Sequence, residues 1–250
     1  MTSVKKFAVY GLIFILAYLV IVIAIAPADK IISKFSLPEN VKLVAVSGSI
    51  YSGSAKALTI NNETIENINW SFNFTSLFTL NPSVDVSFGS KLSGGPKGTA
   101  SLSNIGPNLL VKDASVKMFA NEIAPRLALP IDINAGGEIH LNITEFSLGK
   151  PVCGVANGYI QWDKAHVNAM EEDVELGTLK VDLGCDKGIL NLTVDPNNDL
   201  GLEFTAYLAN FRKITGQGYI TPGAKFPENV KPLLGFIGKK DLKGRYKVKL

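Results

Sequence analysis

The first strong pattern along the chain is an uncharged apolar run over residues 7–26. A helix of this length rises about 30 Å, the thickness of a bilayer's hydrocarbon core, and satisfies its own backbone groups there. Lys5 and Lys6 precede the run. The positive-inside rule therefore predicts a cytoplasmic segment over residues 1–6, a single transmembrane helix over residues 7–26 and a domain over residues 27–250 on the far side of the membrane.

The same run has features of a cleaved signal peptide, because Ala24-Ile25-Ala26 has the small-residue spacing of a cleavage site. Two features favour retention as an anchor. The run is longer than the usual apolar region of about 7–15 residues. Pro27 follows the site directly and would hinder a peptidase. We therefore expect the helix to be kept.

From residue 41 onward, apolar and polar side chains alternate with a period of two, which is typical of β-strands with one apolar face. Glycines open many of these segments and suit turns between antiparallel strands. Two proline-containing stretches, 120–129 and 228–237, predict brief helices instead. The predicted fold is mostly β, an antiparallel meander forming a sandwich or a long curved sheet, with one N-terminal transmembrane helix. The alternating segments are 41–50, 56–60, 65–74, 83–88, 98–103, 109–118, 137–146, 155–162, 165–170, 177–183, 188–194, 201–208, 214–220 and 244–249.

The alternation leaves one face of the predicted strands apolar along the whole series. The default consequence is a closed core between two sheet faces. The alternative is an open apolar groove that holds a lipid or a hydrophobic segment of a partner. A charged side chain at Leu190 or Leu192 would separate the two, since it would unfold a closed core and leave an open groove folded.

Charge changes this picture little. The formal net charge is +3, and basic residues are scattered without interleaved aromatic residues, so nucleic-acid binding is not expected. Only the end of the chain concentrates positive charge. An edge strand protected by lysines is the expected explanation, and contact with anionic headgroups or an acidic partner is the alternative. The basic residues there are Lys239, Lys240, Lys243, Arg245, Lys247 and Lys249.

The chain has two cysteines, Cys153 and Cys185, and both follow the predicted anchor. In an oxidising periplasm such a pair is expected to form a disulfide. Closing a loop of about thirty residues would stabilise the fold by about 3–4 kcal/mol. Two cysteines without a local C-x-x-C do not supply a zinc site, and the two histidines show no ligand spacing.

No constellation of catalytic residues is evident. The sequence contains neither G-x-S-x-G nor a glycine-rich phosphate-binding motif. His140 and His166 lie in plain amphipathic strand segments without an adjacent nucleophile. The crowded carboxylates of one predicted loop indicate a solvated turn; these are Glu171, Glu172, Asp173 and Glu175. The sequence therefore predicts a non-enzymatic protein with no catalytic, metal-binding or cofactor-binding residues.

Several short segments resemble one bacterial family. Ser47-Gly48-Ser49-Ile50-Tyr51-Ser52-Gly53-Ser54-Ala55 resembles the G-[ST]-[hydrophobic]-[WY]-x-G-x-A segment of type II secretion system protein N (general secretion pathway protein N). Tyr51 stands where that family more often has tryptophan. Ile68-Asn69-Trp70-Ser71-Phe72 and Leu77-Phe78 resemble the continuation of the motif. The cysteine-bearing segments 153–162 and 183–188 and the C-terminal segments 232–236 and 244–246 are also similar, so the resemblance covers nearly the whole chain.

The resemblance implies a non-catalytic accessory component of the bacterial inner membrane, in the machine that exports folded proteins from the periplasm across the outer membrane. Its implied partners are other type II secretion proteins, which exposed strand edges can bind by β-augmentation. The first motif also resembles AsmA-type proteins, which are linked to lipid traffic between bacterial membranes. A lipid-binding or lipid-transfer protein with an apolar groove is therefore the alternative.

Overall fold

A computed structural model describes residues 10–15, 18, 26–32, 40–61, 63–90, 95–106, 108–126, 134–169, 172–211 and 213–250. The chain divides into two compact units, Met1–Phe72 and Asn73–Leu250. The predicted β region is therefore divided near residue 72.

The predicted anchor lies largely outside the described residues. Of residues 7–26, positions 10–15 and 18 are described and helical. Within the part of the chain that the structure covers, no helix has both the length and the apolar character needed to cross a membrane.

The first unit contains a short helix, Ala28–Ile32, and a three-stranded antiparallel meander of β1 (Val41–Gly48), β2 (Ser52–Ile60) and β3 (Glu63–Asn73). Strand β1 pairs with β2 from Val41↔Ile60 to Gly48↔Gly53, and β2 pairs with β3 up to Ile60↔Glu63. Trp70 Nε1 donates to the carbonyl of Ser49 at 3.1 Å. Gly53 lies directly against Trp70, because a Cβ there would sit 2.5 Å from the indole ring. The segment 47–55 thus forms a tight hairpin turn covered by the tryptophan.

The second unit is one open antiparallel sheet in which each strand pairs with the next along the chain. The predicted meander is therefore confirmed. Of the two predicted arrangements, a sandwich is wrong for these strands, because they form a single long sheet. Its ten strands are β4 (Ser83–Phe88), β5 (Lys97–Ser103), β6 (Leu110–Phe119), β7 (Asn134–Leu148), β8 (Cys153–Ala169), β9 (Glu172–Asp186), β10 (Ile189–Val194), β11 (Leu202–Asn210), β12 (Lys213–Ile220) and β13 (Tyr246–Lys249).

Two of the predicted strands, 155–162 and 165–170, form the single strand β8. The register shifts between Trp162 and Ala165, and Lys164 has a positive φ of 49°. This is the geometry of a β-bulge, which interrupts the alternation without ending the strand. The predicted break was wrong for that reason.

The two predicted helices are brief, as their prolines require. The first is an α-turn, Ala120–Ile123, followed by a 3-10 turn, Ala124–Arg126; residues 127–129 lie outside the described part. The second is a 3-10 turn, Glu228–Leu233, that continues as Leu234–Ile237.

The buried core of the second unit consists mainly of small side chains. The largest buried side chains among the described residues are Phe226 and Leu234, which are 3% and 2% exposed. Trp162 packs on a cluster of buried alanines at the short helix Ala120–Ile123. Its Nε1 hydrogen is donated to the carbonyl of Gly136 at 2.9 Å. The buried apolar residues are Ala114, Ala120, Ala124, Ala135, Val152, Cys153, Ala156, Ala165, Val174, Ala206, Phe226 and Leu234.

Candidate interaction surfaces

One face of the second unit's sheet is apolar from strand to strand. The register places Val116, Leu141, Ile160, Val181 and Val194 in one row across β6–β10. Side chains of a strand point to alternate faces, so this row shares one face of the sheet. All five side chains are only half-buried. The closed core expected from the alternation is therefore not formed by these residues, and the apolar face remains accessible.

The opposite face is polar. The next row across the same strands contains Lys117, His140, Gln161 and Lys180. The Lys180 ammonium lies over the ring of Tyr159, with 5.2 Å from Nζ to the centroid. Alternation along the strands thus gives the sheet one apolar and one charged face.

The predicted disulfide is present. Cys153 and Cys185 are bonded, with 6.1 Å between their Cα atoms. Lys187 and Gly188, with φ of 50° and 84°, form the two-residue turn between β9 and β10, and two positive φ values in succession suit such a turn. The N–H groups of Val152 and Cys153 both donate to the carbonyl of Gly188, at 3.0 and 3.1 Å. The disulfide and these hydrogen bonds hold the turn before β8 against the turn before β10.

The two histidines lie at separate places on the sheet. His140 Nε2 lies 3.2 Å from a carboxylate oxygen of Glu138 and 3.8 Å from one of Asp163. His166 Nδ1 lies 3.0 Å from the carbonyl of Lys164, on a different part of the sheet. The structure thus separates the two histidines and leaves each beside ordinary strand residues.

The predicted acidic loop is only partly described. Glu171 and the side chain of Glu172 lie outside the described residues. Asp173 accepts a hydrogen bond from the side-chain amide of Asn168 at 2.8 Å, and Glu175 pairs in register with His166. Within the described ranges, no group of three histidine, cysteine or carboxylate ligands could hold a metal ion.

The basic C-terminal segment ends in the edge strand β13. Leu250 exchanges both backbone hydrogen bonds with Gly216, at 2.9 and 3.3 Å. In an antiparallel ladder the preceding residue turns its backbone groups the other way, so those of Lys249 face the outer edge. Beside this strand, the polar face holds a depression of about 460 Å³ lined in part by Glu203, Tyr219 and Lys247.

The hairpin before β13 is held by Asp241. The backbone N–H of Arg245 donates to Asp241 at 2.9 Å, as does its guanidinium, and the backbone N–H of Lys243 adds a third bond. These hydrogen bonds, led by the Arg245 backbone, lower the pKa of the Asp241 carboxyl. The guanidinium also lies 4.0 Å from the ring centroid of Tyr219, so the hairpin is fixed to β12.

Sequence reasoning missed one surface. The turn Phe74–Leu77 and the residues after it expose four large apolar side chains, although they are anchored at both ends by hydrogen bonds. The available signal was the segment FTSLFTL, whose apolar residues do not alternate and which contains no charge. The exposed side chains are Phe74, Leu77, Phe78 and Leu80.

Comparison with known proteins identifies the family. The family model described as type II secretion system (T2SS), protein N, matches residues 39–249. The chain is 26% identical over 247 residues to type II secretion system protein N of Vibrio cholerae serotype O1, covering 97% of this chain and 96% of that protein. It is 25% identical to the protein of the same name from Aeromonas hydrophila, covering 97% and 96%, and 21% identical to that from Pectobacterium carotovorum, covering 97% and 95%.

No solved structure matches the chain. The resemblance seen in the sequence motifs is confirmed by the family match, which spans both β units. The chain therefore belongs to the type II secretion system protein N family.

Proposed function

We propose that this accessory component of type II secretion is a non-catalytic protein of the bacterial inner membrane. Residues 7–26 anchor it, residues 1–6 stay in the cytoplasm, and residues 27–250 work in the periplasm. There the β units bind other components of the secretion machine. The observation that carries the proposal is the family match over residues 39–249.

The described part of the predicted anchor supports membrane insertion. Residues 10–15 and 18 are helical. Their large apolar side chains are at least 57% exposed. Lipid tails would cover such side chains, and a helix is the backbone form that hydrocarbon tolerates. These exposed residues are Tyr10, Leu12, Ile13, Phe14, Ile15 and Tyr18.

Two surfaces of the second unit support partner binding. The outer backbone edge of β13 is a site where a partner strand can pair. The adjacent depression on the polar face brings together a carboxylate, a phenol and an ammonium group from Glu203, Tyr219 and Lys247. Groups of both charge signs suit polar contacts with another protein, which give specificity.

The proposal is tested by secretion in a strain that lacks the chain. We expect export of folded periplasmic proteins to fall and to be restored by the full chain. A variant without residues 7–26, directed to the periplasm by a cleavable signal, should restore less export at equal abundance. Normal export without the chain would contradict an accessory role, and full rescue by the anchorless variant would contradict the need for an anchor.

The half-buried apolar face favours a second candidate function, in which this face binds the acyl chains of a lipid. Leu192 lies on that face, and its neighbour Thr193 lies exposed on the polar face. In this reading, Leu192→Lys reduces the lipid that copurifies with the chain, whereas Thr193→Lys does not. Equal lipid content in both variants would contradict lipid binding by this face.

A further inference from the structure

The sheet of the second unit has one end with exposed apolar tips. In the segment after β3, Phe78 and Leu80 are 90% and 91% exposed, and Phe74 and Leu77 are 61% and 50% exposed. Large apolar side chains are seldom presented to water to this extent on several neighbouring residues unless they bind something. This segment is therefore the strongest candidate for a contact that the family match does not explain.

The turn that presents these side chains is internally hydrogen-bonded. The Asn73 side chain accepts from the backbone and hydroxyl of Thr75, at 3.1 and 2.6 Å. The Ser76 hydroxyl donates to the carbonyl of Asn73 at 2.5 Å and accepts from the N–H of Ser83 at 2.9 Å. Leu80 has a left-handed φ of 54°, a backbone conformation that is strained for a bulky residue. A turn built in this way holds its apolar tips outward before any contact is made.

Neighbouring turns at the same end continue the apolar tips. In an antiparallel meander, the turn before β4 and the turns joining β5–β6, β7–β8, β9–β10 and β11–β12 all lie at one end of the sheet. Ser83 pairs with Ser103, so the tips of the first turn lie beside the β5–β6 turn, where Ile105 is 72% exposed. Phe211 in the β11–β12 turn is 68% exposed.

The charged residues within these turns are all basic. Lys150 precedes β8 and Lys187 precedes β10, and both are exposed. The disulfide and the hydrogen bonds to the Gly188 carbonyl hold these two turns together. The turn segments 74–82, 104–109, 149–152, 187–188 and 211–212 contain no aspartate or glutamate, and the nearest carboxylate in sequence is Asp186 at the end of β9.

The other end of the same sheet differs in charge. Its turns include Leu242, which is fully exposed, so an exposed apolar tip alone does not distinguish the two ends. However, Asp199 and Glu228 there form ion pairs with Lys225 and Lys231, so that end carries both signs of charge.

We propose that the end of the sheet formed by these five turns is a membrane-contact edge that binds a bilayer surface containing anionic phospholipid. The apolar tips enter the boundary between headgroups and acyl chains, and the lysines bind phosphate groups. A phospholipid surface fits both features, because it offers an apolar layer directly beneath a layer of negative charge. This contact is additional to the proposed anchor and does not depend on binding other secretion proteins.

The test uses the full chain in vesicles of phosphatidylethanolamine with phosphatidylglycerol, whose acyl chains carry bromine as a quencher of tryptophan fluorescence. Phe78→Trp places a tryptophan on the proposed edge, and Leu242→Trp places one at the opposite end. The wild type gives the baseline from Trp70 and Trp162. We expect quenching above this baseline for Phe78→Trp and none for Leu242→Trp. Absence of added quenching at position 78, or equal quenching at both positions, would overturn the proposal.

A second set of variants tests the lysines. A lysine near an anionic surface strengthens binding about fivefold, so Lys150→Gln with Lys187→Gln should lower the contact equilibrium of the Phe78→Trp chain about twenty-fivefold. The matched control is Lys239→Gln with Lys243→Gln, which removes two lysines near the opposite end. Quenching that is unchanged by the first pair, or equal in vesicles without phosphatidylglycerol, would overturn the anionic part of the proposal.

Two outcomes separate this proposal from the others. Flotation of the Phe78→Trp chain shows that the chain is bound to the vesicles, so a chain that does not reach the bilayer is recognised before quenching is read. If a protein shields residue 78 in cells and Phe78→Trp shows no added quenching in vesicles, the proposal of a membrane contact is overturned in favour of a protein contact.

Discussion

Placing a charge on the apolar face of the second unit measures whether that face is open. Leu192 lies in register with Leu183 on one side and Ala206 on the other, and its side chain is half-buried. Thr193, the next residue, is exposed on the polar face and lies opposite Asp182. Leu192→Lys and Thr193→Lys therefore introduce the same side chain on opposite faces of one strand.

The expected loss in the free energy of unfolding follows from the partial burial of Leu192. Fully burying a leucine contributes about 1.5–3 kcal/mol, so a half-buried one contributes about 1–2 kcal/mol. On an open face, the lysine stem covers apolar surface while the ammonium group reaches water. We expect Leu192→Lys to lower the free energy of unfolding by about 1–2 kcal/mol, and Thr193→Lys to change it by less than about 0.5 kcal/mol.

The assay is urea unfolding followed by tryptophan fluorescence, with the slope of the transition compared between variants. Trp162 reports on the second unit, because it packs on the buried alanine cluster of that unit. A loss of more than about 3 kcal/mol, or failure to fold, would contradict an open apolar face, since that is the cost of an unpaired charge in a closed interior. No loss at all would show that the leucine makes no packing contribution.

Three further predictions concern stability. Replacing both Cys153 and Cys185 with serine should lower the free energy of unfolding by about 3–4 kcal/mol, because the bond closes a separation of 32 residues; equal urea midpoints under oxidising conditions would contradict this. Gly188→Ala should cost more than about 1 kcal/mol, because φ is +84° and the new Cβ would sit 2.1 Å from a backbone carbonyl, whereas Gly223→Ala has open space and should be near neutral in the same assay. In an NMR titration, the pKa of the Asp241 carboxyl should lie below its ordinary value. The hydrogen bonds of its hairpin therefore contribute fully to stability above the pKa that this carboxyl has in the unfolded chain, and they are lost as pH falls through its lower pKa in the folded chain. An unshifted pKa would contradict this.

The strands could be predicted from the sequence because one-sided burial imposes an alternation that no other element shares. Segment 83–88 was predicted with the bounds that β4 has. Strand β8 was predicted as two strands. The bulge at Lys164 inserts one extra residue and so shifts the alternation of apolar and polar positions, as a turn between two strands also does. Turn geometry without a glycine, such as the left-handed Leu80, gives no sequence signal at all.

The state of the apolar face could not be predicted. Leu190 and Leu192 alternate with polar residues in the same way whether a second sheet covers them or not, so the sequence favoured a closed core on general grounds. Only the structure, in which the strands form a single sheet, shows that these side chains are half-buried. The exposed tips at residues 74–80 were missed for a similar reason, since exposure depends on how the turn is held by Asn73 and Ser76.

In-cell photocrosslinking at the edge strand tests whether β13 binds other components of the secretion machine. A photoreactive residue at Lys247 lies beside the polar depression, one at Leu192 lies on the apolar face, and one at Lys225, whose side chain is 83% exposed, serves as the control. Adducts are identified by mass spectrometry. We expect crosslinks from Lys247 to other type II secretion proteins and none of these from Lys225. Lipid adducts at Leu192 with no protein adduct at Lys247 would contradict it.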